Sequence, residues 1–248
     1  MSTVIVFGAA GELGQAVSNT FFNAGFNVSL VGRNSKKLID VKNQLVPDNS
    51  AQVDFYETDI CYPEEVEQLF KQAQATFGKI EYVVNCAGKA VKGSILEVPF
   101  EEARQVIDTN TLGSLNIIKS AAKYLNSGGH IINVASSVTH NPMPMHSIYG
   151  MSKCAQIYLS EVAALELSER NIQVNSISPG IIESNPLIAW LETEQGKAFA
   201  SKIPKHSIRS AKAISELILS IIQIREPSFT GNVISPDGGF RYFSNQAK

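Results

Sequence analysis

The apolar positions of this chain come in two alternating kinds. Short runs of four to six β-branched and aromatic residues read as buried strands, and longer stretches with apolar residues three or four apart read as helices. Val4 to Phe7 is the first strand, and Leu13, Val17, Phe21 and Ala24 mark the helix after it. Asn27 to Val31 is the second strand and Lys36 to Val46 the second helix. Pro47 to Ser50 form a turn, and Val53 to Glu57 are the third strand. Pro63, Glu64 and Glu65 suit a first helical turn, so a helix follows to about Phe77, where Gly78 stops it. Ile80 to Val84, Ile131 to Val134 and Ile172 to Ile177 give three more strands. Between them lie long helical patterns over Phe100 to Tyr124 and from Ser147 to about Arg170. Such regular alternation predicts an α/β protein with a doubly wound, mostly parallel sheet between two helical layers.

Composition narrows this picture. A chain of 248 residues with 44% hydrophobic content can bury a sizeable core, so 1–248 is expected to be one domain. A formal charge of −2 without like-charge blocks offers no footprint for nucleic acid. The three cysteines, Cys61, Cys86 and Cys154, lack metal or disulfide spacing and fit reduced thiols in a cytoplasmic protein. No apolar run is long enough to cross a membrane.

Two stretches carry candidate chemistry. Gly8, Gly11 and Gly14 form G-x-x-G-x-x-G between a strand and a helix, where glycines let the backbone approach a pyrophosphate at a helix start. About twenty residues on, where a carboxylate would select a ribose 2′-hydroxyl, the chain has Gly32 and then Arg33, Asn34 and Ser35. An arginine there suits a 2′-phosphate, so NADP(H) is expected in preference to NAD(H). The second stretch holds Tyr149 and Lys153, four residues apart and so on one helical face. An ammonium about 4 Å from a phenol is expected to lower its pKa toward neutrality. Ser136 lies thirteen residues before Tyr149, and Asn110 is a polar residue inside a helical pattern.

Taken together, the chain resembles the short-chain dehydrogenase/reductase family over nearly its whole length, and so a Rossmann fold. The family's Asn-Asn-Ala-Gly turn matches Asn85-Cys86-Ala87-Gly88, its helical Asn matches Asn110, its Ser matches Ser136, and its Tyr-x-x-x-Lys matches Tyr149 and Lys153. Asp59 resembles an adenine-contacting Asp, Asn175 to Gly180 the family's strand and turn, Ser184 its usual Thr, and Gly231 with Asp237-Gly238-Gly239 its last strand and turn. Two departures stand out: the glycine spacing is nearer the family's extended branch, and Cys86 replaces an Asn.

The resemblance implies Asn110, Ser136, Tyr149 and Lys153 as catalytic residues. Ser136 and Tyr149 would hold a carbonyl while a nicotinamide delivers hydride, Lys153 would lower the Tyr149 pKa and bind the ribose, and Asn110 would anchor a water. Implied cofactor contacts are Gly8, Ala10, Gly11, Glu12, Leu13, Gly14, Arg33, Asn34, Asp59, Ile60, Asn85, Ala87, Gly88, Tyr149, Lys153, Pro179, Gly180, Ile182 and Ser184. A lid is expected at about 184–210, where Pro186, Leu187, Ile188, Trp190, Leu191, Phe199 and Ile203 suit an apolar carbonyl or alcohol substrate; Met143 and Met145 are candidates for the pocket wall. Helix pairing across a two-fold axis implies a homotetramer or homodimer. A 3-oxoacyl-[acyl carrier protein] reductase shares these motifs, with Arg170 placed for the carrier, and a dinucleotide-binding sensor is the non-enzymatic alternative.

Overall fold

The computed structural model describes residues 1–45, 50–204 and 208–242. Strands β1 (Thr3–Phe7), β2 (Asn27–Gly32) and β3 (Val53–Glu57) alternate with helices α1 (Glu12–Asn23), α2 (Ser35–Gln44) and α3 (Pro63–Phe77). Next come β4 (Ile80–Asn85), α4 (Phe100–Ile107), α5 (Gly113–Tyr124), β5 (Leu125–Val134), α6 (Ser147–Glu166) and β6 (Gln173–Ile177). The carboxyl-terminal part contains β7 (Ile181–Ile182), α7 (Asn185–Leu191), α8 (Glu194–Ala200), β8 (Ile208–Arg209), α9 (Ala211–Ile222) and β9 (Val233–Ile234). The expected turn at Pro47 to Asn49 and lid positions 205–207 lie outside the described residues.

The main sheet is parallel with the order β3-β2-β1-β4-β5-β6-β9. Winding starts at β1, proceeds outward to β3, then returns to β4 on the other side. The reversal leaves a crevice beyond the carboxyl ends of β1 and β4, where open α/β sheets bind ligands. Strand alternation divides the core between the two faces. Val4 and Val6 pack with Phe21, Phe22, Leu38 and Ile218 on one side, and Ile5 and Phe7 with Leu69, Phe70, Ile117 and Ala163 on the other. The result is the expected three-layer Rossmann arrangement.

Local departures have physical causes. The long helical pattern from Phe100 is not one α-helix, because Asp108–Leu112 form a π turn between α4 and α5. The extra residue leaves the Asn110 carbonyl to accept from the Ser114 hydroxyl at 2.7 Å. At the other end α6 stops at Glu166, a short 3-10 turn covers Ser168–Arg170, and Asn171 reverses the chain at φ 55°.

Candidate active site

Gly8 and Gly14 shape the floor of the crevice. Gly8 has φ 71°, and a Cβ there would stand 2.7 Å from the Ala87 nitrogen; one on Gly14 would stand 2.1 Å from the Gly8 carbonyl oxygen. The loop is therefore pressed against both the β4 turn and the start of α1. Gly11 is freer, with Gly8 O at 3.4 Å, and caps α1 by backbone alone.

Two cavities meet at Gly88. The first is walled by Gly8, Ala10, Gly11, Arg33, Asn34, Asp59, Ile60, Ala87 and Gly88, all expected from sequence, and also by Phe7, Val31, Gly32, Thr58 and Thr109. The second brings together Ser136, Tyr149, Lys153, Pro179, Gly180 and Ile182 with Cys86, Lys89, Ala90, Val134 and Ala135. Thr58, a polar residue where a strand ends, and Thr109, beside Asn110, were the readable signals among the additions.

Other expected residues stand outside these walls. Glu12 is exposed in the first turn of α1, Leu13 packs on the core, and Gly14 acts through close approach. Asn85 is fully buried beneath the turn, where its Oδ1 accepts from Ala87 N at 3.1 Å. Ser184 caps α7 by accepting from Leu187 N at 3.2 Å. Met143 and Met145 line neither cavity.

Arg33 lies at the rim of the first cavity, its side chain 68% exposed and its guanidinium 4.0 Å from the Asp59 carboxylate. Asn34 caps α2 by accepting from Lys37 N. Cationic reach is thus directed outward from the end of β2, and an exposed pair at that distance holds Arg33 only weakly.

Asn110, fully buried, ties three elements together. Its Oδ1 accepts from Lys89 N at 2.8 Å, and its Nδ2 donates to Lys89 O at 2.8 Å and to Ser152 Oγ at 2.9 Å. Both amide protons are committed to protein partners. A π turn at such a position re-aims a side chain that a regular helix would place elsewhere.

Lys153 is 4% exposed and donates to the Val134 carbonyl at 2.8 Å and to Gln156 Oε1 at 2.9 Å. Burial lowers its pKa to about 8. For Tyr149 the expected lowering is not what the geometry gives. Burial pushes the phenol above its ordinary value, and the Ser136 hydroxyl offsets part of this. Loss of solvation outweighs the attraction expected from Lys153. Cys86 is pushed up to about 12 by burial and so stays a neutral thiol.

Among the described residues no group of three His, Cys, Asp or Glu could hold a metal ion, and no helix is long and apolar enough to cross a membrane. The sequence model of a family described as short chain dehydrogenase matches residues 2–195. An uncharacterized oxidoreductase of Staphylococcus aureus (strain MRSA252) is 33% identical over 195 residues, covering 78% of this chain and 83% of its own. Another from Staphylococcus epidermidis is 31% identical over 182 residues, covering 73% and 77%. A short-chain type dehydrogenase/reductase from Mycobacterium ulcerans superposes with TM-score 0.92 at 28% identity, covering 98% of this chain and 90% of its own. One from Mycobacterium marinum gives 0.86 at 28% identity, covering 96% and 95%.

Proposed function

Since the chain belongs to the short-chain dehydrogenase/reductase family, we propose that it interconverts a carbonyl compound and a secondary alcohol, with Tyr149 as the acid and base. The observation that carries this reading is that Ser136, Tyr149 and Lys153 share one cavity, which meets the glycine-walled crevice at Gly88.

That crevice fits a dinucleotide. Gly8 and Gly14 let the loop backbone pack directly on the β4 turn and the start of α1, where a pyrophosphate would meet backbone amides, and a Cβ at Gly88 would stand 3.4 Å from both Lys153 Nζ and Asn110 Oδ1. Gly8, Ala10 and Gly11 would hold the pyrophosphate, Asp59 and Ile60 the adenine side, and Gly88, Pro179, Gly180 and Ile182 the nicotinamide side. When bound, the cofactor supplies or accepts the hydride. In reduction, the Ser136 and Tyr149 hydroxyls hold the carbonyl oxygen, and Tyr149 gives its proton to that oxygen as charge develops there. In oxidation Tyr149 takes the proton back. Lys153 keeps a positive charge behind this exchange.

Arg33 supports NADP(H) over NAD(H), because its guanidinium offers charge-assisted bonds to a 2′-phosphate and no carboxylate occupies the end of β2. Trp190 and Phe199 of the expected lid pack on each other with ring centres 5.4 Å apart and line neither cavity, so an apolar substrate is supported by the apolar composition of 184–210 alone. Arg170, the cation placed for an acyl carrier, instead donates to the carbonyls of Ala122 and Leu125 at the end of α5, which favours a free carbonyl compound. A panel of ketones and aldehydes with NADPH, followed by loss of reduced-nicotinamide absorbance, tests the reading. No turnover of any panel member in either direction would overturn it.

A further inference from the structure

Behind Lys153 lies a buried polar network that the acid-base reading does not use. Gln156 is fully buried one turn along α6, its Oε1 accepting from Lys153 Nζ at 2.9 Å and its Nε2 donating to Ser114 Oγ at 2.8 Å. Ser114 in turn donates to the Asn110 carbonyl at 2.7 Å and accepts from Asn85 Nδ2 at 3.0 Å. The other Asn85 proton goes to Asn133 Oδ1 at 3.0 Å, Asn133 donates to Ser160 at 3.0 Å, and Ser160 returns to the Gln156 carbonyl at 2.8 Å.

The direction of every bond follows from chemistry. An ammonium only donates, so the amide oxygen of Gln156 must face Lys153 and its NH2 must face Ser114. The Ser114 proton is then left for the Asn110 carbonyl. A network with one consistent arrangement fixes its members, because losing a single partner leaves buried groups unpaired.

We propose that Gln156 is the positioning residue of this site: a neutral acceptor that holds the Lys153 ammonium in place and, through Ser114, ties it to the π turn of Asn110. The proposal rests on the acid-base reading of Tyr149 and Lys153 and extends it. Neutrality is the functional point. A carboxylate at this place would pair with the ammonium and cancel the charge that Lys153 directs toward the cavity; an apolar side chain would leave the ammonium with one protein acceptor, Val134 O. The groups around Lys153 agree with this role. Tyr149 shares its helix and Cys86 faces it from the β4 turn, while the π turn, α5 and β5 present the uncharged Asn110, Ser114 and Val134 carbonyl. Lys89 lines the same cavity with its own ammonium turned to Gln105.

The test compares Gln156→Glu, close in shape, and Gln156→Met with the parent. Two readouts are followed from pH 6 to 10, about two units either side of the Lys153 value: kcat/KM for a ketone that the parent reduces, and NADPH affinity from nicotinamide fluorescence. The alkaline limb should move up by about one pH unit or more in Gln156→Glu, whose charge favours the ammonium. It should move down in Gln156→Met, with the NADPH Kd raised several-fold. Should Gln156→Met fail to fold, Gln156→Glu alone decides. Folded variants with the parent's limb and NADPH affinity would overturn the proposal. Tyr149→Phe separates the two levels: if it keeps near-parent turnover, the acid-base reading itself fails; if it is inactive while the Gln156 variants match the parent, only this inference fails.

Discussion

Lys153 places its ammonium over the ring face of Tyr149, 5.9 Å from the ring centre, while its hydrogen bonds run to Val134 and Gln156. Burial, and not this contact, moves the two groups in opposite senses from their ordinary values, the phenol upward and the ammonium down to about 8. Near neutral pH both carry their protons, the state that carbonyl reduction needs. Above about pH 8 the lysine loses its charge first, so reduction should decline there. A pH profile of kcat/KM with NADPH checks this. Lys153→Arg, always charged, should lack the limb near pH 8 in whatever activity remains. A parent profile flat to pH 10, beyond the Lys153 value, would show that this group does not govern the reaction.

Tyr149→Phe removes the hydroxyl but keeps the ring. Turnover should fall by about 10²- to 10⁴-fold, the usual range for losing a general acid. NADPH affinity should stay within a few-fold, since the crevice walls are untouched. Steady-state kinetics and a fluorescence titration report the two effects separately.

The glycine loop makes a contrast between neighbours. Gly14→Ala drives a methyl to 2.1 Å from the Gly8 carbonyl oxygen, whereas Gly11→Ala brings one only to 3.4 Å. Overpacking of the first kind costs about 1–3 kcal/mol or more. Gly14→Ala should lower the thermal midpoint and weaken NADPH binding, and Gly11→Ala should do much less of the former. Equal midpoints for the two would refute the close-approach account.

Arg33→Ala tests cofactor choice. Charge-assisted bonds to a phosphate contribute about 1.5–3 kcal/mol, so the NADPH to NADH ratio of kcat/KM should drop about ten- to a hundred-fold. The weak pair with Asp59 is too exposed to hold Arg33 back. Equal use of both cofactors by the parent, or an unchanged ratio in the variant, would remove Arg33 from this role.

Much of this architecture was legible because strands and helices here differ in period and the site residues sit at strand ends or on one helical face. Arg33 and Ser136 could be placed from the end of a strand, and Tyr149 with Lys153 from helical spacing. What the sequence hid were effects of neighbours distant in the chain. The π turn at Asp108–Leu112 leaves no periodic signature, since apolar spacing on either side still reads as one helix. The Tyr149 shift depends on burial that spacing does not report. Gln156 is an ordinary helical residue by spacing, and its role depends on Ser114, forty-two positions away, which accepts from its amide. Helix α9 is an element that the sequence expectations lack, although its Ile214, Ile218, Ile221 and Ile222 pack into the core.

Assembly can be argued from α6. Met151, Tyr158 and Leu165 recur every seven residues along one side and are 54%, 69% and 77% exposed. We propose that this stripe is the surface on which another helix packs. With two-fold symmetry the same stripe would meet itself, giving a homodimer or, with a second contact, a homotetramer. Light scattering at micromolar concentration should report a particle of at least twice 26.9 kDa, and Tyr158→Glu with Leu165→Glu should shift it toward the monomer. A monomeric parent would contradict this.

His130 gives a stability prediction independent of catalysis. It is fully buried in β5, its Nε2 2.8 Å from Asn175 Nδ2, which only donates, so the ring is neutral with its proton on Nδ1. Burial, and then the nearby Arg225, lower its pKa from 6.5 to about 4. In the unfolded chain the same group takes up a proton as pH falls through about 6.5. Between these values the unfolded state binds more protons, so stability rises with pH and is lost as pH falls from 6.5 toward 4. The full difference is on the order of 3 kcal/mol. Urea midpoints measured at pH 7.5 and 5, which bracket the ordinary value, should therefore fall in the parent, and His130→Gln should show a smaller drop. The same pH dependence in both proteins would place the acid sensitivity elsewhere.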